Sequence, residues 1–511
     1  MYLLRSIKKD WTLWLATMAM MLILTSLRYH SLGEPLERDL TTYAYISHEM
    51  LSGDQLYSDL WDHKPPMIYW IYMAAELIWG YMPEAITYLG IVFSLLSFVF
   101  IFLFLMILAN GWIALLGASF WSLASNSVLL QANQPNTEIF LNTFTLMGFW
   151  SFALYAKTSH RKILFLSGMA FAIASTFKMI AIFPAAALCV YLLFPGHAFQ
   201  QGKWKRTGIE WGIFLSPVAI LWGIIVIIFA LSGNLKDFYN VVFVFNRQYS
   251  GSLAKNILLF LSEPELLFHR ALKEVWVLVL LSIAWLMVSR KYYGPLHRVF
   301  FLLVLIGAWM EIASPGRFYA HYYQLLLPIS SILAALFFSD VHAALKYRKT
   351  AIKAGILGML LILSLGHLGF YQWNYLQMSP QEISFKKYGH LFLHAHKLAQ
   401  HIQTLTAPCE TIYEFGGETG LYYYAQRKAA SGIFQIVSFL HSPQKQQQEM
   451  YHRILQDLQS SPPAFFIWNS EFGILEESPF LPFIGEKYHE IATSHSYRIF
   501  EYKNRQRPPD C

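Results

Sequence analysis

Long apolar runs dominate the chain. Stretches of about 17 to 25 residues, enough to cross a hydrocarbon layer of about 30 Å as helix, recur through the first three quarters of the sequence. Eleven of them are predicted to span a membrane: Trp11–Leu27, Ala85–Ala109, Trp112–Leu130, Ile139–Ala156, Ile163–Phe177, Ile180–Phe194, Gly208–Leu231, Val275–Ser289, Val299–Ile312, Tyr322–Phe338 and Ile352–Phe370. The fifth and sixth are short and meet at Lys178, as a broken or reentrant pair. From about Tyr371 the pattern changes. Helix candidates at Lys387–Leu405 and Gln444–Gln459 alternate with strand candidates at Thr411–Phe415, Ala464–Trp468 and Tyr497–Tyr502. At about 140 residues this tail is large enough to bury a core of its own. The expected fold class is an α-helical polytopic membrane protein with a small C-terminal α/β domain, divided into residues 1–370, which include a long first external loop over 29–84, and residues 371–511.

Composition agrees with that reading. With 56% hydrophobic and 14% charged residues among 511, lipid must be part of the solvent. The lysines and arginines fall in alternate loops: Arg5, Lys8 and Lys9; Lys157, Arg161 and Lys162; Lys203, Lys205 and Arg206; Arg290, Lys291 and Arg298; Lys346, Arg348 and Lys349. The positive-inside rule places these loops in the cytoplasm. The net charge of +7 is therefore mostly a topology signal and gives no reason to expect nucleic acid. Residues 28–83, 232–273 and everything after 370 are expected outside. No small-residue cleavage site follows the first span, which reads as a retained anchor. Three cysteines imply no disulfide framework, with Cys409 and Cys511 a candidate pair in the external tail.

The first external loop is the most informative stretch. In Glu37 to Leu51, the residues Leu40, Tyr43, Ile46, Met50 and Leu51 recur at helical spacing, as one apolar face able to lie along a membrane surface. Asp39 stands at the start of that helix, beside Arg38. A carboxylate there gains from the helix dipole, and it serves either as a plain cap or as a catalytic acid or base. Further on, His63 and Lys64 precede a Pro65-Pro66 pair that forces an extended entry and then lets a helix begin. The fixed ammonium suits a phosphate. The alternative is a snorkelling interfacial lysine with aromatic anchors such as Trp70.

Together these segments, an Asp-led "D...Y..I...ML.G...Y.D" followed by "HKPPMIYW", resemble the first external loop of family 39 glycosyltransferases, which include bacterial aminoarabinose transferases and protein O-mannosyltransferases. The resemblance implies a C-type glycosyltransferase fold and a lipid-linked sugar phosphate as donor. It also implies that Asp39 is the base or acceptor-positioning group and that Lys64 contacts the donor phosphate. The chain departs from aminoarabinose transferases at His63, where they usually carry a glutamate that helps hold a metal. No metal site is carried over, and no cofactor is assigned beyond an optional divalent metal.

Further candidates lie between the spans. Glu138, with Asn136 as a polar neighbour, sits at the outer mouth between the third and fourth spans, where a carboxylate is expensive unless partnered. Capping of the fourth span is its plain alternative. Lys178 interrupts an apolar stretch and must reach water, an acid or a ligand. The family commonly has a lysine there. Arg317 offers a planar fork for phosphate oxygens, and His321 four residues on shares its face if the turn is helical. "GR.Y.HY" also resembles a recurring family segment near the donor site. Tyr319 is a weaker candidate, since aromatic residues at a membrane boundary are expected without a ligand. In the tail, Gly416 to Gly420 reads as a strand-to-helix turn rather than a nucleotide loop. His390, His394 and His396 lack the ligand set of a zinc site.

The expected activity is transfer of a sugar from a polyprenyl-phosphate donor to a lipid, glycan or protein acceptor, with inversion, at the outer face of a bacterial inner membrane. Lys64, Lys178 and Arg317 would neutralise the leaving phosphate, and Asp39, with Glu138, would orient or deprotonate the acceptor hydroxyl. The rival readings are a transporter or flippase for a lipid-linked solute, an oligosaccharide ligase of the same fold, and a receptor-like module on a membrane anchor.

Overall fold

The structure, a computed structural model, describes residues 10–194, 203–290 and 292–506. Arg5, Lys8, Lys9, Lys291 and Cys511 therefore lie outside the described residues. In chain order the main helices are α1 (Trp11–Tyr29), α2 (Arg38–Leu51), α3 (Met67–Trp79), α4 (Pro83–Leu108), α5 (Gly111–Ala124), α6 (Thr137–Thr158), α7 (Arg161–Phe177), α8 (Ile182–Tyr191), α9 (Lys203–Leu231), α10 (Trp276–Val288), α11 (Arg298–Ala313), α12 (Leu327–Ala344) and α13 (Thr350–Leu376). The polar tail adds α14 (Pro380–Tyr388), α15 (Leu391–Leu405), α16 (Gly420–Ala425) and α17 (Gln444–Ser460).

Each of the eleven predicted spans coincides with a helix. Seven helical stretches among the described residues, built on α1, α4, α6, α9, α10, α12 and α13, are long and apolar enough to cross a membrane. The third predicted span ran to Leu130, whereas α5 stops at Ala124. The reason is local. Ser127 accepts the Leu130 N–H with its hydroxyl and the Ala132 N–H with its carbonyl, and Gln131 takes a left-handed conformation (φ +54). Side chain and turn compete successfully with the helix there.

The chain divides into two compact units, residues 1–32, 86–227 and 250–379 on one side and 33–85, 228–249 and 380–511 on the other. The first is the membrane unit. Its helices pack on Phe, Leu and Trp side chains such as Phe104, Phe149, Trp121 and Trp285, and small residues allow close approaches. At Gly168 on α7 an added Cβ would lie 2.0 Å from the Phe214 carbonyl oxygen of α9. Arg28 at the end of α1 is buried and donates to the carbonyls of Ala132 (2.5 Å) and Ser125 (2.7 Å), fixing the turn that follows α5.

The second unit joins the segment between α1 and α4 to the tail. Its sheet has four strands, β1 (Ile412–Phe415), β2 (Phe465–Asn469), β3 (Tyr488–Ser494) and β4 (Tyr497–Tyr502), in the order β1-β2-β4-β3. β1 and β2 are parallel, joined through α16 and α17, and the other pairs are antiparallel. Three strands fall where the sequence predicts them. β3 was missed because it is an edge strand exposed along most of its length, with no apolar alternation.

Candidate functional site

The loop unit holds the first set of candidates. Helix α2 begins one residue before Asp39, and its cap is Glu37, whose carboxylate accepts the Asp39 N–H at 3.2 Å. Asp39 is thus in the first turn but is not the cap. Nor does α2 lie on a surface by one apolar face. Leu40, Tyr43 and Ile46 are buried, and so are Thr41, Thr42, Tyr45 and Ser47 on its other sides. The polar side is satisfied by the tail: the Thr419 hydroxyl lies 2.7 Å from that of Thr41 and 3.0 Å from that of Thr42, and it donates to the Arg38 carbonyl at 3.0 Å. Arg38 also donates through Nε (3.1 Å) and Nη2 to Glu418, in the turn after β1. The Gly416–Gly420 segment is the strand-to-helix turn the sequence predicts. It clamps the first turn of α2.

The segment before α3 is pinned from several sides. The His63 carbonyl accepts from Asn246 Nδ2 (2.6 Å) and the Lys64 carbonyl from the Tyr57 hydroxyl (2.8 Å). Pro66 then caps α3 without a side-chain bond. Lys64 Nζ stands 3.4 Å from His63 Nε2 and 6.0 Å from the centre of the Tyr43 ring, one turn along from Asp39. The charge of Asp39 acts on both Tyr43 and His63, so the acid and the "HKPP" segment share one electrostatic neighbourhood. Burial and the Lys64 ammonium push the His63 imidazole below its ordinary value, which leaves it neutral at pH 7.

Asp62, not among the candidates the sequence offers, is the buried partner here. It accepts the Tyr69 hydroxyl and the His63 N–H, both at 2.7 Å. Burial opposes its charge, but the His63 imidazole, the Lys64 ammonium and the Tyr69 hydroxyl outweigh it and hold the carboxyl down at about 2. For Glu37, burial and the neighbouring Asp39 charge push the carboxyl up.

The membrane unit holds the second set. The chain breaks between α7 and α8, with Lys178 extended (φ −156°, ψ 123°). Its Nζ pairs with Glu138 Oε1 at 2.7 Å and lies 3.7 Å from the centre of the Tyr322 ring. Glu138 is fully buried, and His321 adds a further charge acting on it. Asn136 caps α6 by accepting the Thr137 N–H at 2.7 Å, so the plain reading holds for Asn136 while Glu138 is held by the lysine.

Arg317 and His321 do not share a helical face. The segment is a turn with Gly316 at φ +65 and Phe318 at φ +51, and regular structure resumes only as a 3₁₀ helix at Ala320. His321 Nδ1 lies 3.2 Å from Gln131 Oε1, and its ring stacks on Tyr319 at 5.7 Å. Glu311 on α11 was overlooked. It is 3% exposed, one carboxylate oxygen has no hydrogen-bond partner, and the charges of Lys178 and Glu138 act on it. A lone acid inside the ninth predicted span was the available signal.

Among the described residues no group of three or more His, Cys, Asp or Glu side chains converges to hold a metal ion. His390 and His394 stack at 5.1 Å, and His394 packs at 3.5 Å on His495, a contact the sequence does not reveal.

Residues 63–235 match the family model described as dolichyl-phosphate-mannose-protein mannosyltransferase. No curated protein matches in sequence. Among solved structures, ArnT from Cupriavidus metallidurans bound to undecaprenyl phosphate is 14% identical at a TM-score of 0.60, over 98% of this chain and all of that one. The Archaeoglobus fulgidus oligosaccharyltransferase tethered with an acceptor peptide is 11% identical at a TM-score of 0.60, over 98% of this chain and 75% of that one. The same archaeal enzyme, AglB, in complex with an inhibitory peptide and a dolichol-phosphate, is 10% identical at a TM-score of 0.56, over 98% and 75%. The chain therefore has the C-type glycosyltransferase fold of ArnT and AglB, and its residues 63–235 carry the match to the dolichyl-phosphate-mannose-protein mannosyltransferase family.

Proposed function

We propose that this protein transfers a sugar from a polyprenyl-phosphate carrier to a hydroxyl of a lipid, glycan or protein acceptor. The observation that carries this reading is the likeness, over nearly the whole chain, to a protein crystallised with undecaprenyl phosphate. The side chains supply matching chemistry. A polyprenyl phosphate leaves readily once its charge is neutralised, which requires cations at the leaving oxygen and a carboxylate beside the incoming nucleophile.

In the membrane unit Lys178 is the principal phosphate ligand, with Arg317 and His321 in support and Glu138 holding the lysine in place. In the loop unit Lys64 supplies a further cation, and Asp39 orients or deprotonates the acceptor hydroxyl. Attack from the face opposite the leaving phosphate inverts the anomeric carbon and needs no covalent enzyme intermediate. At the position where aminoarabinose transferases carry a metal-holding glutamate, the His63 imidazole faces the Lys64 ammonium at 3.4 Å, which is a poor fit to a cation. The Lys and Arg bias of the loops supports a bacterial plasma membrane orientation with a cytoplasmic N-terminus and an external tail.

Transfer from a short-chain polyprenyl-phosphate sugar by the purified protein in vesicles tests the reading. Asp39→Asn and Lys178→Ala variants that insert and fold should lose it. Wild-type rates in both, or carrier flux across the vesicle without sugar transfer, would overturn it. The lipid-linked sugar pool of a deletion strain, compared with its parent, identifies the sugar.

A further inference from the structure

Between α5, α12 and α13 of the membrane unit lies an open-sided cleft of about 530 Å³. Its walls are apolar, formed by Ile113, Leu115, Leu116, Phe338, Leu357 and Leu361, and no carboxylate lines it. One end is polar. Asn110, which caps α5, lines it together with Ser339 and His342 from the last turns of α12. Lys353, in the first turn of α13, places its Nζ 2.9 Å from His342 Nε2. Lys346, Arg348 and Lys349 are exposed on the link between α12 and α13, and Lys349 precedes α13 without capping it, so the first N–H groups of a 27-residue helix also open toward this end. The nearest acid on α12, Asp340, is already paired with Arg290 at 2.7 Å.

This end is distant from the donor-phosphate candidates. His321 lies just before α12 and His342 near its end, so the 18-residue helix separates them by about 27 Å. Around the cleft, α13 exposes Ile352, Met359, Ile362, Leu363 and Phe370, as expected of a helix facing hydrocarbon. Cations in excess of carboxylates beside an apolar cleft between membrane helices, where lining Trp112 donates to Asp10 at 3.2 Å, match a lipid with a negative headgroup and no other class of ligand as well.

We infer that this cleft is a binding site for one anionic glycerophospholipid. An acyl chain lies between α5, α12 and α13, and the headgroup phosphate is held by Lys353 and the basic link at 346–349. The test is native mass spectrometry of the full-length protein taken from vesicles of equimolar phosphatidylglycerol and phosphatidylcholine. One phosphatidylglycerol per chain should be retained in preference. Lys353→Ala should reduce that preference about fivefold, the factor corresponding to about 1 kcal/mol per basic residue at a lipid surface. Leu116→Trp, which fills the cleft with an apolar side chain, should abolish retention while the thermal midpoint stays near wild type. Equal retention of phosphatidylcholine overturns the inference. So does retention unchanged in both variants, or a loss in Lys353→Ala without one in Leu116→Trp, which would mean surface attraction without the cleft.

Discussion

Arg38 donates to Glu418 across more than three hundred residues of sequence, binding the helix that starts with Asp39 to the turn after the first strand of the tail. The position of the proposed acceptor-side carboxylate is therefore set by the sheet domain as well as by its own loop. Glu418 is fully buried, and its other oxygen makes no hydrogen bond, so the guanidinium is its principal counter-charge.

Loss of that clamp should act on rate more than on substrate binding. Arg38→Ala and Glu418→Gln are expected to lower kcat about 10- to 100-fold, the scale of a misplacement near 1 Å, with KM changed little. Arg38→Lys should recover less than the charge alone predicts, since it cannot reproduce the two-pronged contact. Steady-state transfer kinetics on the folded variants decide this.

Removing Lys178 leaves Glu138 buried without its cation, a change that typically costs about 3–5 kcal/mol. Lys178→Ala should lower the unfolding midpoint in detergent sharply. The double variant Lys178→Ala, Glu138→Gln should regain most of that stability yet stay inactive in sugar transfer. A stable single variant would show that the pair carries little structural weight.

The loop unit should weaken in alkali. Burial and the neighbouring Glu418 push the Glu414 carboxyl up to about 8, so the folded state holds a proton that the unfolded chain releases above its ordinary value. The stabilisation from that proton is complete below about pH 4.5 and is lost as pH rises through about 8, at about 1.4 kcal/mol per unit between these limits. Glu414→Gln should flatten the fall in unfolding midpoint between pH 5 and 8, read by thermal denaturation.

Gly168 tests the packing of α7 on α9. A methyl group there would meet the Phe214 carbonyl oxygen at 2.0 Å. Gly168→Ala is expected to destabilise by about 1–3 kcal/mol through overpacking, whereas Gly212→Ala on α9, where an added Cβ meets nothing within 4 Å, should be silent.

The sequence was most legible where one physical demand dominates. Apolar run length located a helix at each predicted span, and the break at Lys178 was visible because a charge had to leave an apolar stretch. Long-range partnerships were less legible. Nothing local to Arg38 points to Glu418, and nothing near Thr41 and Thr42 announces that Thr419 satisfies them, so a helix with an evident apolar stripe was expected at a surface and is instead enclosed. Asp39 was read as a possible cap because the true cap, Glu37, has lower cap preference than aspartate. Glu311 was hidden by its surroundings, a single acid in a run whose hydropathy still reads as a span. His321 and Arg317 were linked by a helical spacing that Gly316 and Phe318, both left-handed, break.

The loop unit is assembled from three separate pieces of chain, residues 33–85, 228–249 and 380–511. During synthesis the first piece emerges long before the last, so the segment bearing Asp39, His63 and Lys64 must wait, without its clamp or its sheet, until translation is nearly complete. A premature stop anywhere after α13 would thus yield a complete set of membrane-unit helices with an unfinished loop unit, a product open to proteolysis within residues 33–85 rather than at its truncated end.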